Sequence, residues 1–405
     1  MIKPYFGKIC FFVLLGVIPV LFREVFGASS LALGLAVFLS LLVLTNARYF
    51  KKAQIYRFSE ILILWVFLLH VILSMFGGVD SKPLLSFVFV LFVILASRVF
   101  AERLLSNWNL EYGFFKAIFF FLFALLLFAI ATDYHFSGYF YDRAKGIFPF
   151  GEPSNYALFF GPFFLAFVVF VDGFWKKMFV IAFVGGGAFY VQSTTLMVYV
   201  FLAAALLFKF NIGFILCGLP ALAIGGGGVL LDPYFSSRVI ITPETNNLSA
   251  LVYLQGLSDA YNSLLQSHGF GIGFQMLGTQ PPSEFFFKIQ SILGQDSNGT
   301  GLNREDGGFL AAKIIAEFGV LGIALILSYI FLFIHSFLRL RSLVRKPVMT
   351  ISPHHFALVF SYAFFVEVFV RGTGYFSPTL FLFLVSLFIL SRDKVGGLKF
   401  QVQRY

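Results

Sequence analysis

Two carboxylates, Glu305 and Asp306, stand between Arg304 and the pair Gly307-Gly308, just before an apolar run that keeps two charges of its own, Lys313 and Glu317. Asp306, Leu310, Lys313 and Glu317 are spaced by four, three and four residues, a pattern that predicts one stripe on a helix. Ionisable groups near a bilayer are expensive and face a protein interior or a wet cavity. A carboxylate at the mouth of such a cavity is suited to take a proton from a hydroxyl group. The plainer reading is that Lys313 and Glu317 pair at i,i+4 and neutralise each other, which leaves Asp306, nearer water, for chemistry.

A second charged group follows the pattern of an anion site. Arg143-Ala-Lys145-Gly146 lies shortly before Glu152-Pro153-Ser154. Arg forks onto phosphate oxygens, Lys adds a point charge and Gly admits close backbone approach, so the group suits a diphosphate. Pro153 and Ser154 are expected to open a helix, with Glu152 beside its positive end. Interfacial anchoring by Tyr, Arg and Lys is the ordinary alternative. Glu367 and Arg371 are four apart and expected to form a structural pair, with Arg371 available as a further cation. Arg238 and His268 lie in a long polar stretch between these groups. His268-Gly-Phe-Gly-Ile-Gly273 resembles a nucleotide loop only superficially, because no strand–turn–helix unit surrounds it. The six His residues show no metal-ligand spacing, and the two cysteines, Cys10 and Cys217, both fall in apolar runs.

The elements that must position these residues are membrane spans. The chain is 59% hydrophobic with 60 Phe, more apolar surface than a soluble chain of 405 residues could hide. Its net charge of +10 gathers in short loops: Arg48, Lys51, Lys52 and Arg57; Lys176 and Lys177; Arg339, Arg341, Arg345 and Lys346; and a basic tail. That is positive-inside patterning and not a nucleic-acid face. Apolar windows near 5–22, 27–46, 59–77, 83–100, 113–132, 155–172, 178–192, 194–209, 210–230, 308–338, 354–371 and 376–391 predict about twelve spans. The fold class expected is therefore an all-α polytopic membrane protein, with residues 1–405 as a single domain. Both termini and every basic loop fall on the cytoplasmic side, and segments 133–154 and 231–307 outside. Leu251, Leu254, Leu257, Tyr261, Leu264 and Leu265 recur at helical spacing within the longer segment, predicting a surface-lying amphipathic helix.

Two motifs, Arg143-x-x-Gly146 followed by Glu152-Pro-Ser, and Asp306-Gly-Gly running into Glu317-x-Gly319-x-x-Gly322, resemble those of the Wzy-type O-antigen polymerases. These belong with the O-antigen ligases and the shape-and-division peptidoglycan polymerases. The resemblance covers most of the chain by topology and only these motifs by residue. It implies a GT-C-like fold with a large, partly helical periplasmic loop in the bacterial inner membrane. It also implies a glycosyltransferase that joins undecaprenyl-diphosphate-linked oligosaccharide repeats in lipopolysaccharide biosynthesis, with no cofactor or metal. Membrane lipid is an implied partner, a chain-length regulator is a candidate one, and nucleic acid is not. Arg143 and Lys145 are then expected at the diphosphate, helped by Arg304, Arg238 and Arg371, with Glu152 and Lys313 lining the same site. Asp306 is expected as the base, followed by Glu305 and then His268. Ligases carry a His-Asn pair nearer the Glu-x-Gly, where this chain has Gly308, and a Ser-Arg step where it has Ser193-Thr194. Both departures favour polymerase over ligase. A lipid-oligosaccharide flippase, the rival of another class, calls for polar residues at mid-membrane and repeated halves.

Overall fold

The computed structural model describes residues 15–23, 26, 31–53, 58–76, 81–132, 146–208, 231–239, 245–293, 304–344 and 351–393. The expected spans at 210–230 and over most of 5–22 lie outside them, as do Arg143 and Lys145. Among the described residues there is no strand, only an isolated bridge between Ile147 and Phe150. The helices are α1 (Ala32–Thr45), α2 (Phe58–Phe76), α3 (Lys82–Thr132), α4 (Pro153–Phe170), α5 (Phe174–Tyr190), α6 (Thr194–Leu207), α7 (Pro233–Val239), α8 (Leu248–Gln266), α9 (Glu284–Leu293), α10 (Leu310–Val344), α11 (Pro353–Ala363), α12 (Phe365–Phe369) and α13 (Pro378–Asp393).

Four segments are long and apolar enough to cross a bilayer: Lys82–Trp108, Phe115–Thr132, Pro153–Phe170 and Leu310–Val344. A fifth arises if α1 and the following Ala47–Ala53 segment, bent by 74°, form one span. Four shorter apolar helices, at Glu60–Ile72, Thr194–Leu207, Pro353–Phe369 and Pro378–Arg392, account for further expected windows but fall short of about twenty residues. The windows at 83–100 and 113–132 are two spans that meet at a kink within α3, where Asn107 leaves the helical conformation. The step at Gln192 is a true turn: Gln192 takes φ 52° and Ser193 caps α6 by accepting from Leu196 N–H.

Phe carries the packing. α4 is the central helix, with 83% of its apolar window buried against 28% for the peripheral α10. Phe119 stacks on Phe167 at 4.0 Å, Phe115 meets Phe356 at 4.3 Å, and Phe364 stacks on Phe383 at 4.2 Å. Such offset and tilted pairs add to the dispersion gain that holds helices together where lipid is the solvent.

The basic loops meet at one end of this bundle. Arg103 donates to Asn46 at 3.1 Å, Lys177 to the Val344 carbonyl at 3.2 Å, and Arg341 to the Phe208 carbonyl at 3.2 Å. Trp108 donates to the Ile351 carbonyl, and Arg392 pairs with Glu102. These contacts put 46, 102–108, 351 and 392 together, and 177, 208 and 341–344 together. The candidate site residues gather elsewhere, at the ends where α4, α10 and α13 begin.

α10 is broken near its start. Gly319 takes φ 58° and ψ −130°, so the carbonyls of Ala316 and Glu317 lose their helical partners. The 269–273 loop replaces them. Ile272 N–H donates to Ala316 O at 3.0 Å, Gly273 N–H to Glu317 O at 3.1 Å, and Val320 N–H to Gly269 O at 2.8 Å. His70 Nε2 also donates to Glu317 O at 2.9 Å, which fixes its Nε2–H form because a carbonyl only accepts. The two backbones lie so close that a Cβ on Gly319 would fall 2.0 Å from Gly269 O, and one on Gly271 would fall 2.4 Å from Glu317 O.

Gly319→Ala is expected to lower the unfolding free energy in detergent by more than the about 1–3 kcal/mol that strained backbone alone costs, because the loop must also retreat. Gly186→Ala, with nothing within 4 Å of its added methyl, serves as the control and should leave stability unchanged or slightly raised. Equal stability of the two variants would show that the loop does not seat on the break.

Candidate functional site

Lys313 is the centre of the first half of the site. Its side chain is only 2% exposed, and its ammonium donates to Gln275 Oε1 at 3.2 Å and to the Glu305 carbonyl. Asp306 Oδ1 and Glu317 Oε1 each lie 3.9 Å away, and the Tyr375 ring centre 5.0 Å. The i,i+4 pairing expected of Lys313 and Glu317 is present. Asp306, however, is not on the helix. Gly307 and Gly308 take φ 67° and 73°, turning the chain before α10 starts at Leu310. The turn folds Asp306 back beside Lys313 while leaving it 44% exposed. α8 crosses over this turn: Gly256 and Val252 meet the Gly307–Gly308 backbone, and Tyr253 stacks on Phe309 at 4.4 Å.

The second half centres on Arg371. The pairing expected with Glu367 does not form, because helix α12 ends at Phe369 and the i,i+4 register is lost. Glu367, wholly buried, accepts from Thr373 at 3.4 Å and from Thr379 instead. Arg371 turns to both carboxylate oxygens of Glu152, at 3.2 and 3.3 Å. Glu152 is the N-cap residue of α4, with Pro153 at its first position as the sequence pattern predicts, and its side chain makes no capping bond. Arg238, on α7, packs over the Tyr234 ring at 4.0 Å and feels the charges of both Glu152 and Arg371. Burial lowers the Arg238 guanidinium from its usual range, with Tyr234 and Glu152 acting against the shift and Arg371 adding to it. The Nε atoms of Arg238 and Arg371 and the Ser154 hydroxyl are buried without a protein partner.

A short loop joins the two halves. One residue past Arg371, Gly372 N–H donates to Gly308 O at 2.9 Å. A Cβ on Gly374 would fall 2.6 Å from Asp306 Oδ1. Asp306 and the Arg371–Glu152 pair therefore flank the same four-residue stretch. An apolar cleft opens beside it, lined by Gly16, Val20, Leu31, Phe150, Leu158 and Phe159, with Asn155, Thr373, Ser377 and Thr379 at its polar end.

Other expected site residues point elsewhere. The Glu305 carboxylate reaches Lys82 at 2.7 Å and is two-thirds exposed. Arg304 donates to the Gln280 carbonyl and lies over Phe286 at 5.3 Å. Its charge also acts on Asp259, whose carboxyl burial pushes up to about 6 while Gln255 and Arg304 oppose the shift. His268, at φ 50°, precedes the glycine bonded to Val320 and so sits at the α10 break, roughly 15 Å along the helix from its first turn. Sequence reasoning missed His70, Gln275 and Tyr234. His70 alone carried a usable signal, a polar side chain inside an apolar run. Among the described residues no three His, Cys, Asp or Glu side chains gather as a metal-binding set.

No family model matches this chain, and neither a curated protein nor a solved structure matches it.

Removing one member of the buried pair leaves the other charge uncompensated. Lys313→Met and Glu317→Gln should each cost about 3–5 kcal/mol, and the double variant much less than their sum. A double-mutant cycle by denaturation in detergent checks this; strict additivity would mean that the two charges are not coupled.

Proposed function

We propose that this chain is a periplasm-facing glycosyltransferase of the bacterial inner membrane that polymerises undecaprenyl-diphosphate-linked oligosaccharide repeats, as the resemblance to Wzy-type O-antigen polymerases suggests. The observation that carries the reading is the 371–374 stretch, which brings a partly exposed carboxylate, Asp306, to one side and two guanidinium groups to the other. A further expectation is a bundle of about twelve spans, with 133–154 and 231–307 outside and the basic end in the cytoplasm.

The chemistry assigns each group a task. Asp306 takes the proton of an acceptor sugar hydroxyl as that oxygen attacks the anomeric carbon of the donor. A new C–O bond forms, the bond from carbon to the diphosphate oxygen breaks, and the electron pair leaves with the polyprenyl diphosphate. The leaving group gathers negative charge, which fixed cations stabilise without reorganising. Arg371 and Arg238 supply that field, and the Arg143-Ala-Lys145-Gly146 segment, which runs directly into the Glu152 region, is expected to add to it. The lipid chain is expected to lie along the Phe-rich helices. Lys313 is enclosed, and its task here is to hold the Asp306 turn rather than to touch substrate.

Substitutions at two positions separate these roles in cells. Asp306→Asn keeps the shape of the side chain but cannot accept a proton, and should lower turnover by roughly 10²–10⁴-fold at normal protein level. Arg371→Ala should shorten polymer sharply, and Arg371→Lys should not restore it, since a point charge does not reproduce a fork. The lipopolysaccharide ladder reads both: core carrying a single repeat, with lipid-linked monomer accumulating, is the expected pattern. Core without any repeat alongside lipid-linked polymer would instead indicate a ligase, and loss of both with intermediates trapped inside would indicate a flippase.

A further inference from the structure

Helix α8 turns a largely polar face inward along its second half. Its polar side chains Gln255, Asp259 and Ser263 are buried, together with Gly256 and Ala260, against the start of α10. The apolar side chains at i, i+4 and i+8, Leu257, Tyr261 and Leu265, face outward, and Tyr261 is 64% exposed. Phe270, just beyond the helix, is 81% exposed. A helix bathed in water is organised the other way round.

The level of this face relative to the bilayer follows from α10. From Val320 to Leu338 that helix exposes a broad apolar surface including Leu325 and Phe331. Eighteen residues separate its ends, roughly 27 Å of helix, close to the ~30 Å thickness of a bilayer's hydrocarbon core. Val320 marks one edge of that belt. Gly269 O, one residue before Phe270, is bonded to Val320 N–H at 2.8 Å, so the end of α8 is pinned at that edge. The outward face of α8 is thus continuous with the lipid-facing surface of α10, and is flanked by exposed polar residues, Asn262, Gln266 and His268.

We propose that α8 and Phe270 lie in the membrane, at the boundary between headgroups and acyl chains of the leaflet on the site side. Tyr261, Leu265 and Phe270, on the part of the helix toward the Val320 edge, enter the acyl region while the polar flank stays among headgroups. This inference goes beyond the proposed glycosyltransferase activity and does not need it. It makes a lipid-seated element of a stretch whose overall polarity points to water, and it puts the helix that covers the Asp306 turn at the surface where a lipid-linked substrate travels.

Spin labels measure this depth directly. With Cys10 and Cys217 replaced by Ala, single cysteines Leu257→Cys, Tyr261→Cys, Leu265→Cys and Phe270→Cys are labelled with a nitroxide. The full chain is then reconstituted in phosphatidylethanolamine–phosphatidylglycerol vesicles. Accessibility to oxygen should exceed that to a water-soluble nickel chelate several-fold at 261, 265 and 270. At the exposed positions Thr279 and Glu284, labelled in the same way, the ratio should reverse. Chelate accessibility at 261 equal to that at 279 would overturn the proposal in favour of a hydrated face. Low accessibility to both relaxants, with spin–spin broadening, would overturn it in favour of a second copy covering the helix.

Discussion

A buried ammonium sets the terms for this end of the molecule. Lys313 could not remain charged at 2% exposure without compensation, because removing an ion from water costs several kcal/mol even after relaxation. Its compensation comes from four places: Gln275 in the loop after α8, the Glu305 carbonyl and the Asp306 carboxylate in the turn before α10, and Glu317 on α10 itself. Lys313 thereby joins these segments at one point. Asp306 therefore holds its place beside a charge that is itself enclosed by protein.

The break at Gly319 is the second constraint and works with the first. It opens two helical carbonyls, and the loop carrying Gly269, Gly271 and Gly273 closes over them. That same loop supplies Gln275 to Lys313. A regular helix through 319 would need no such loop, and residues 269–273 would lose their seat on α10. The Glu317-x-Gly319 pattern thus has a structural account: Glu317 neutralises Lys313 through its side chain and receives the loop and His70 through its carbonyl, while Gly319 admits the backbone of residue 269.

Much of this was legible in the sequence. Hydropathy placed most of the described apolar helices to within a few residues. The Lys313–Glu317 pair followed from spacing alone. Three things were not legible. The helical stripe through Asp306 ignored that Gly307 and Gly308 turn the chain, so its proximity to Lys313 comes from a fold-back. The Glu367–Arg371 spacing suggested a pair, but the end of α12 releases Arg371 to Glu152, some two hundred residues away in the chain. The facing of α8 was also hidden, since a helical period shows that two faces differ and not which of them meets protein when lipid lies outside.

The carboxylate and guanidinium groups around residues 371–374 are proposed to serve glycosyl transfer from a polyprenyl diphosphate. Its most direct measurement uses the purified chain alone in liposomes supplied with lipid-linked oligosaccharide repeats, following product length and released polyprenyl diphosphate together. A ladder of longer lipid-linked products is expected, with one polyprenyl diphosphate released for each new linkage. Repeats that stay single with no diphosphate lipid released, or that only move between leaflets, would contradict it.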